Sequence, residues 1–238
     1  MSDQIHVADS LRGGTDVPSQ LELERQYERR FTGQFEYRDG VWRVLTAEFF
    51  QQFVAPDAAV LDLGCGYGQF INNIQAASKY AMDLNPSARA SVKPDVSLIE
   101  QDCSQRWPLE DASLDVVFTS NFLEHLLRKD LVRSTLDEAY RCLKENGKII
   151  CLGPNIRYVP GAYWDFWDHH IPLSDRTIGE VLELSGLRVE RRIARFLPFT
   201  MAEGPQIPLI LVKAYVHLPI AWPLFGRQFL VIANKSPS

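Results

Sequence analysis

The residues with the clearest chemical meaning are three glycines at alternate positions. They lie in Gly64-Cys65-Gly66-Tyr67-Gly68, directly after the strand-forming run Ala59-Val60-Leu61-Asp62-Leu63. A glycine lets the backbone approach a bound molecule that any Cβ atom would push away. Apolar residues then recur at helical spacing within 69–74, which predicts a helix whose unpaired N–H groups face the ligand. The sequence therefore predicts a strand, a binding turn and a helix in succession.

Two further residues narrow the class of ligand. Gln69 stands where a nicotinamide-dinucleotide fingerprint has its third glycine, so that fingerprint is incomplete. Asp62 comes two residues before the first glycine and could orient the turn or meet an ammonium group. A second predicted strand ends at Asp83, and an acid at the tip of the second strand of an α/β fold can hydrogen-bond a ribose diol. The pattern favours a nucleoside-containing ligand other than a nicotinamide dinucleotide.

The motifs DLGCGYG at 62–68 and YAMDLNP at 80–86 resemble those of the class I S-adenosylmethionine-dependent methyltransferases. The resemblance extends over about residues 58–200 and implies S-adenosylmethionine as the cofactor. It also implies an adenine contact after the third strand and an N-x-L-E-H segment under the methionine part of the cofactor. The cofactor-binding residues that it implies are Asp62, Gly64, Cys65, Gly66, Gly68, Asp83, Leu84, Asp102, Cys103, Asn121 and Phe122.

The elements that must position these residues alternate between strands and helices. Strands are predicted at 59–63, 79–83, 96–100, 114–120 and 147–153, and helices at 21–30, 42–53, 131–143 and 174–185. Asn146-Gly147 is expected to end the third of these helices as a left-handed cap. Such an order predicts an α/β, doubly wound Rossmann-like sheet with ligands at the carboxyl ends of its strands. The resemblance adds strands at 187–196 and 228–233, giving seven strands, mostly parallel with an antiparallel last strand.

Composition limits the class of protein. The 238 residues include 25 basic and 30 acidic ones, with an isoelectric point near 5.6, so no general attraction to nucleic acid is expected. Four cysteines without a C-x-x-C pair argue against a zinc site and a disulfide framework. The polar first residues predict no signal peptide and a cytoplasmic protein. We expect a flexible arm at 1–20 and one domain at 21–238, with an insertion at 197–227 between the last two strands.

Residues 155–175 crowd aromatic side chains beside carboxylates and imidazoles. Because this segment follows the fifth strand, it should overhang the cofactor end of the sheet and receive the acceptor substrate. Asp168, His169 and His170 are the catalytic candidates, since a histidine held by a carboxylate can act as a general base. A structural role and a metal site remain alternatives, although adjacent histidines do not suit a closed zinc site; no metal is expected. Candidate substrate contacts are Tyr163, Trp164, Trp167 and His125.

Two other segments have less certain roles. In related methyltransferases an N-terminal Tyr or Arg reaches over the cofactor, which makes Tyr27, Arg30, Tyr37 and Arg38 candidates. The apolar stretch 207–225 is interrupted by Lys213 and His217, and a charge near a bilayer centre costs roughly 2.5–3.5 kcal/mol. A membrane-spanning helix is therefore rejected. Three roles remain open for this stretch: a lid, a dimer contact and a peripheral membrane contact. The chain is expected to be a monomer or a homodimer.

The expected reaction is methyl transfer to an oxygen or nitrogen nucleophile of a small molecule. A looser resemblance of the segment from Tyr163 to Arg176, and of the C-terminal tail, to methyltransferases of bacterial polysaccharide and glycolipid biosynthesis implies a sugar or a lipid-linked sugar. Two alternatives belong to other classes: a nicotinamide-dependent oxidoreductase, and a non-catalytic module that binds a cofactor or a partner.

Overall fold

A seven-stranded sheet forms the centre of the structure, a computed structural model that describes residues 35–199 and 206–237. The strand order is β3-β2-β1-β4-β5-β7-β6, in which β7 runs antiparallel to both of its neighbours and the other strands are parallel. The strands are β1 (Ala59–Leu63), β2 (Ser78–Met82), β3 (Val96–Ile99), β4 (Leu114–Ser120), β5 (Leu143–Pro154), β6 (Leu187–Ile193) and β7 (Gln228–Lys235). The predicted sheet is confirmed.

Helices cover both faces of the sheet. They are α1 (Phe35–Glu48), α2 (Ser87–Ser91), α3 (Lys129–Cys142), α4 (Asp175–Leu184), α5 (Leu209–Val216) and α6 (Trp222–Phe225). Short 3₁₀ helices lie at Phe50–Phe53, Leu123–His125, Ala162–Asp165 and Pro219–Ala221. One apolar core lies on each face: the first includes Phe50, Phe118, Phe196 and Trp222, and the second includes Leu136 of α3 and Ile178 of α4. This double burial explains why β4 reads as a nearly continuous apolar run.

The helix predicted directly after the glycines does not form. Residues 69–74 adopt successive turns, with only the bonds from the amides of Asn72 and Ile74 to the carbonyls of Gly68 and Phe70 in a helical pattern. The Asn73 side chain donates to the carbonyl of Gln69, and the Asn72 side chain donates to that of Ser91. Asparagine side chains that bind the backbone in this way compete with helix formation. The ligand therefore meets a turn rather than a helix dipole.

The predicted cap at Asn146-Gly147 is also wrong. Helix α3 already ends at Cys142, because Leu143 pairs with Leu114 of β4 and starts β5. Asn146 does have the expected left-handed backbone, with φ of 61°. It lies in the irregular part of β5, where the pairing with β4 is interrupted.

The start and end of α4 follow the sequence prediction closely. The Ser174 hydroxyl accepts a hydrogen bond from the Thr177 amide, while the Thr177 hydroxyl accepts one from the Ser174 amide, which forms a capping box. Gly186, with φ of 89°, lies just beyond the last turn.

Within 35–199 and 206–237, no helix combines the length and apolar character that a membrane span requires.

Candidate cofactor and acceptor site

The turn after β1 is shaped by its three glycines. Gly64, Gly66 and Gly68 have φ angles of 70°, 52° and 67°, in the left-handed region that side chains disfavour. The amides of Gly64 and Cys65 both donate to the carbonyl of Met82 at the end of β2, at 2.8 and 3.2 Å. The turn is therefore held against the neighbouring strand, with its glycine backbone at the carboxyl edge of the sheet.

Asp83 fastens the same turn through its side chain. One carboxylate oxygen accepts from the Gly66 amide at 2.7 Å, and the other accepts from the Asn85 amide at 2.8 Å. Burial raises the pKa of Asp83, while these backbone hydrogen bonds and the nearby His125 lower it; burial has the larger effect. The predicted ribose contact thus lies at the predicted strand tip and also organises the glycine turn. Leu84, next to it, is half-buried.

Asp62 is a buried carboxyl group at the same edge. It is 3% exposed, and its carboxylate accepts a 3.3 Å hydrogen bond from the Ile71 amide. Burial raises its pKa to about 8, with a further contribution from the charge of Asp83. Such a group holds a proton at neutral pH, but a positive charge placed nearby favours its ionised form.

A cavity of about 120 Å³ opens between the ends of β1 and β4, where the strand order changes direction. Parallel α/β sheets bind ligands at this topological switch point. Predicted residues in its wall are Asp62, Gly64, Cys65, Gly66 and Asn121. The wall also includes Trp42, Gln69 and Ser120, which the sequence reasoning did not assign to the site.

Phe122 packs on the glycine turn beside this cavity. A Cβ atom added to Gly64 would lie 2.1 Å from the Phe122 ring, so the ring rests directly on the glycine backbone. Asn121 precedes it with φ of 50°, and its amide donates to the carbonyl of Leu152 on β5. Because ligand pockets usually enclose roughly 300–1,000 Å³, we expect Phe122 to turn away when a whole cofactor binds.

Asp102 and Cys103 lie after β3. Asp102 accepts hydrogen bonds from the amide and hydroxyl of Ser104, which orders the loop. The Cys103 thiol is buried against the Thr135 hydroxyl at 3.3 Å, and burial raises its pKa to about 12. Cys103 can therefore meet a ligand through its backbone but not through its side chain.

The segment that is predicted to receive the acceptor has a histidine–carboxylate pair that differs from the expected one. Asp168 contacts His125 rather than His169 or His170: Nδ1 of His125 lies 2.9 Å from the Asp168 carbonyl oxygen and 3.1 Å from its carboxylate. Both of these atoms are acceptors, so Nδ1 carries the proton and Nε2 of the neutral ring is basic. Burial lowers the pKa of His125, but the hydrogen bond to Asp168 and the charges of Glu124 and Asp168 hold it above the usual value.

The two adjacent histidines have different surroundings. His169 is buried, and its ring packs at 4.8 Å between centroids against each of His125, Tyr163 and Phe166. His170 is exposed, and its amide donates to the carbonyl of Glu124. His169 therefore forms part of the wall beside His125, and the side chain of His170 faces solvent.

The three aromatic candidates differ in their exposure to solvent. Tyr163 is fully buried; its hydroxyl donates to the carbonyl of Ile171 and accepts from the amide of Leu173. These bonds use the hydroxyl to hold the loop, so a direct substrate contact by Tyr163 does not fit the structure. Trp164 and Trp167 are 53% and 90% exposed and remain accessible to an acceptor.

The candidates from the N-terminal segment for a contact with the cofactor lie in different places. Arg38 lines the cavity, as expected for a residue near the cofactor. The Tyr37 hydroxyl instead donates to the carbonyl of Ile207 and accepts from its amide, so Tyr37 holds the insertion. Tyr27 and Arg30 lie outside the described residues.

Glu124, His125 and His169 form a group that the sequence does not predict, because His169 is distant from the other two residues along the chain. Their nearest ligand atoms lie within 4.8 Å of one another. Ligands at about 2.1 Å from a tetrahedral zinc ion are roughly 3.4 Å apart, so this group would have to contract to bind one. The absence of a metal therefore stays a prediction.

Comparisons with known proteins agree with this geometry. Residues 61–151, from β1 to β5, match a family model described as a methyltransferase domain. A demethylmenaquinone methyltransferase of Symbiobacterium thermophilum is 26% identical over 198 residues, covering 68% of this chain and 73% of that protein. These findings support a class I S-adenosylmethionine-dependent methyltransferase domain in this chain.

Two further matches cover more of the chain than the family model does. An uncharacterized protein of Methanocaldococcus jannaschii is 30% identical over 164 residues, covering 66% of this chain and 66% of that protein. The matches thus span about two thirds to three quarters of these two relatives' lengths. A methyltransferase structure from Archaeoglobus fulgidus shares the fold, with a TM-score of 0.62 and 19% identity over 85% of this chain and 97% of that one.

The cofactor of the methyltransferase is S-adenosylmethionine, and the residues at the sheet edge suit it. The glycine turn gives a cradle without Cβ atoms, and Asp83 supplies a carboxylate at the strand tip. Asp62 in the cavity wall can compensate a positive charge. These are the groups that a cationic nucleoside requires.

Proposed function

We propose that the methyltransferase acts on an oxygen or nitrogen atom of a small molecule, a sugar or a lipid-linked sugar. The contact between His125 and Asp168 is the observation that carries this proposal. S-adenosylmethionine supplies a methyl group on a positively charged sulfur, which is already activated for transfer. The protein must hold the acceptor in line and remove its proton where it has one.

His125 is the proposed general base. Its Nδ1 proton is fixed by Asp168, which leaves Nε2 to accept a proton from the acceptor hydroxyl or ammonium. The side chain is 25% exposed, so it is partly shielded but accessible. The influence of its charge on Asp83 supports a position near the cofactor edge. The pKa of His125 is raised above its usual value. The neutral form, and with it the rate, should therefore increase as the pH rises through this raised pKa.

The segment 162–171 is the proposed acceptor wall. Its amides at His170 and Ile171 donate to the carbonyl of Glu124, at 2.9 and 3.2 Å, and so fasten it beside His125. The rings of His169 and Phe166 form an apolar side that excludes water. The exposed Trp164 and Trp167 supply flat faces for a sugar or another ring-shaped acceptor.

The proposed acceptor class comes from the sequence. The looser sequence resemblance to enzymes of polysaccharide and glycolipid biosynthesis favours sugars and lipid-linked sugars. One relative is named for demethylmenaquinone, so quinones belong in any acceptor panel.

The test is a transfer assay with S-adenosylmethionine labelled in its methyl group. The purified chain is incubated with free sugars, lipid-linked sugars, quinones and simple amines, and labelled products are separated. We expect label in at least one hydroxyl or amine acceptor, and none with Asp83→Ala, which removes the ribose carboxylate. Label on carbon alone, or no transfer to any acceptor despite cofactor binding, would contradict the proposal.

A further inference from the structure

The chain exposes a group of large apolar side chains on one short segment. Eight of them lie between residues 207 and 225, and Ile210, Ile220, Leu224 and Phe225 are each more than 60% exposed. The others are Ile207, Leu209, Leu211 and Leu218. We call these eight side chains the apolar surface. Single exposed apolar residues are ordinary, but eight large ones within residues 207–225 indicate a binding face.

The two charged or titratable residues that interrupt this segment's apolar pattern are both bound by one carboxylate of α1. Lys213 Nζ lies 2.5 Å from one carboxylate oxygen of Glu48 on α1, and His217 Nε2 lies 3.0 Å from the other. The hydrogen bonds from Lys213 and His217 lower the pKa of Glu48, which keeps it ionised. The two residues that interrupt the apolar pattern in the sequence are therefore bound to Glu48.

The inner side of the segment is firmly attached to the protein. The Tyr215 hydroxyl donates to the carbonyl of Phe196, and the Trp222 ring nitrogen donates to the carbonyl of Tyr215. Val216 and Trp222 are buried in the core, where Trp222 packs edge-to-face on Phe196 at 4.9 Å. The segment is therefore anchored to the core, while the eight side chains of the apolar surface remain exposed to solvent.

The side chains point to lipid rather than protein as the occupant. Protein interfaces are enriched in Tyr, Trp and Arg at their centres, and leucine is under-represented among their hot spots. The apolar surface consists of Ile, Leu and Phe, the residues that interfacial membrane segments bury. Residues 206–227 contain no Asp or Glu, whereas Arg227 is exposed and Arg195 donates to the carbonyls of Leu224 and Gly226. This basic margin is complementary to anionic lipid headgroups.

We propose that the apolar surface docks the methyltransferase on a lipid bilayer that carries anionic headgroups. Helix α1 links this surface to the cofactor site, because it holds the segment through Tyr37 and Glu48 and lines the cavity with Arg38 and Trp42. The inference does not depend on the identity of the acceptor, so its failure would leave methyl transfer standing.

The test is flotation of the purified full-length chain with vesicles of phosphatidylcholine, with and without phosphatidylglycerol. The variants Ile220→Asp and Leu224→Asp place a charge in the apolar surface. Leu184→Asp is the matched control, since Leu184 on α4 is 62% exposed and Leu224 is 66% exposed. Thermal unfolding and titration with S-adenosylmethionine show that each variant is folded and keeps its cofactor site.

We expect wild type and Leu184→Asp to float with the phosphatidylglycerol vesicles. Each variant in the apolar surface should bind them roughly tenfold or more weakly, as follows from losing one buried apolar side chain, with unchanged cofactor affinity. Three results would overturn the proposal: no flotation of wild type, equal flotation of Leu224→Asp and wild type, or equal losses in Leu224→Asp and Leu184→Asp. A dimer that Leu224→Asp dissociates, without vesicle binding by wild type, would assign the surface to a second copy.

Discussion

The glycine turn after β1 and the acceptor wall at 162–171 both lie at the functional end of the sheet, but they are built differently. The turn depends on backbone conformation, with three glycines at positive φ and amides bonded to β2 and Asp83. The wall depends on side chains that meet across long stretches of sequence, such as His125 with Asp168. The first arrangement is visible in a local motif, whereas the second exists only after folding.

This difference predicts which activity a substitution in each region impairs. A change in the turn should impair cofactor binding, since the backbone itself forms the cradle. A change in the wall should impair catalysis or the acceptor while the cofactor still binds. Five variants test this separation.

His125→Asn should have the largest effect on the rate. Loss of a general base lowers kcat by roughly 10²–10⁴-fold, while titration with S-adenosylmethionine should give an unchanged affinity. His170→Asn is the control, because His170 is exposed and its backbone makes the contact with Glu124. If both variants lose the same activity, His125 has no special role.

Gly64→Ala should impair the cofactor site. The new Cβ would lie 2.1 Å from the Phe122 ring at a backbone φ of 70°. Strain of this kind costs about 1–3 kcal/mol, and the turn can relieve it only by leaving the conformation that forms the cradle, so we expect a loss of cofactor affinity of roughly tenfold to a hundredfold. Gly161→Ala is the control, with φ of −78° and no atom within 4 Å of its added Cβ. Equal cofactor affinities in the two variants would contradict this account.

Asp62 should make cofactor binding depend on pH. Its pKa of about 8 means that it is mostly protonated at neutral pH. A bound cation favours the carboxylate, so affinity should increase by up to about tenfold per pH unit between about pH 6 and 8, with release of a proton. Calorimetry across this range should show the slope in wild type and lose it in Asp62→Asn. The same slope in both proteins would exclude Asp62 as its source.

Asp168→Asn should shift the pH dependence of the rate. Without the Asp168 charge, burial lowers the pKa of His125, so the acidic limb of the rate profile should move to lower pH. The maximal rate should decrease less than in His125→Asn, because the backbone carbonyl of residue 168 still accepts a hydrogen bond from Nδ1. An acidic limb that stays in place would indicate that Asp168 is only structural.

Tyr163→Phe should have the smallest effect on chemistry. The hydroxyl joins the backbone at Ile171 and Leu173, and loss of buried hydrogen bonds costs about 1–3 kcal/mol of unfolding free energy. Denaturant unfolding should show this loss, and cofactor affinity should remain unchanged. A large loss of acceptor binding without any loss of stability would restore Tyr163 as a substrate contact.

The fold and the cofactor half follow from the sequence to a large extent. Strand ends at Gly64 and Asp83 are visible because a strand pattern stops at residues with special backbone or charge roles. The helix after Gly68 was predicted from apolar spacing alone, but the side chains of Asn72 and Asn73 bind the backbone instead. A local pattern does not show such competition.

The side-chain contacts in the proposed acceptor half could not be predicted from the sequence. The sequence placed Asp168, His169 and His170 together, and their spacing along the chain gave no means to choose a partner for the carboxylate. The choice of His125 follows from the bonds between the amides of 170–171 and the carbonyl of Glu124, which bring distant segments together. Likewise, the contacts of Lys213 and His217 with Glu48 cross more than 160 residues of sequence.

The most direct test of the account is calorimetric titration of the purified chain with S-adenosylmethionine, S-adenosylhomocysteine and NAD⁺. We predict saturable binding of both sulfur compounds, strongly weakened in Asp83→Ala and retained in His125→Asn, and no binding of NAD⁺. Binding of NAD⁺ alone, or binding of the sulfur compounds that Asp83→Ala leaves intact, would contradict the placement of the cofactor at the glycine turn.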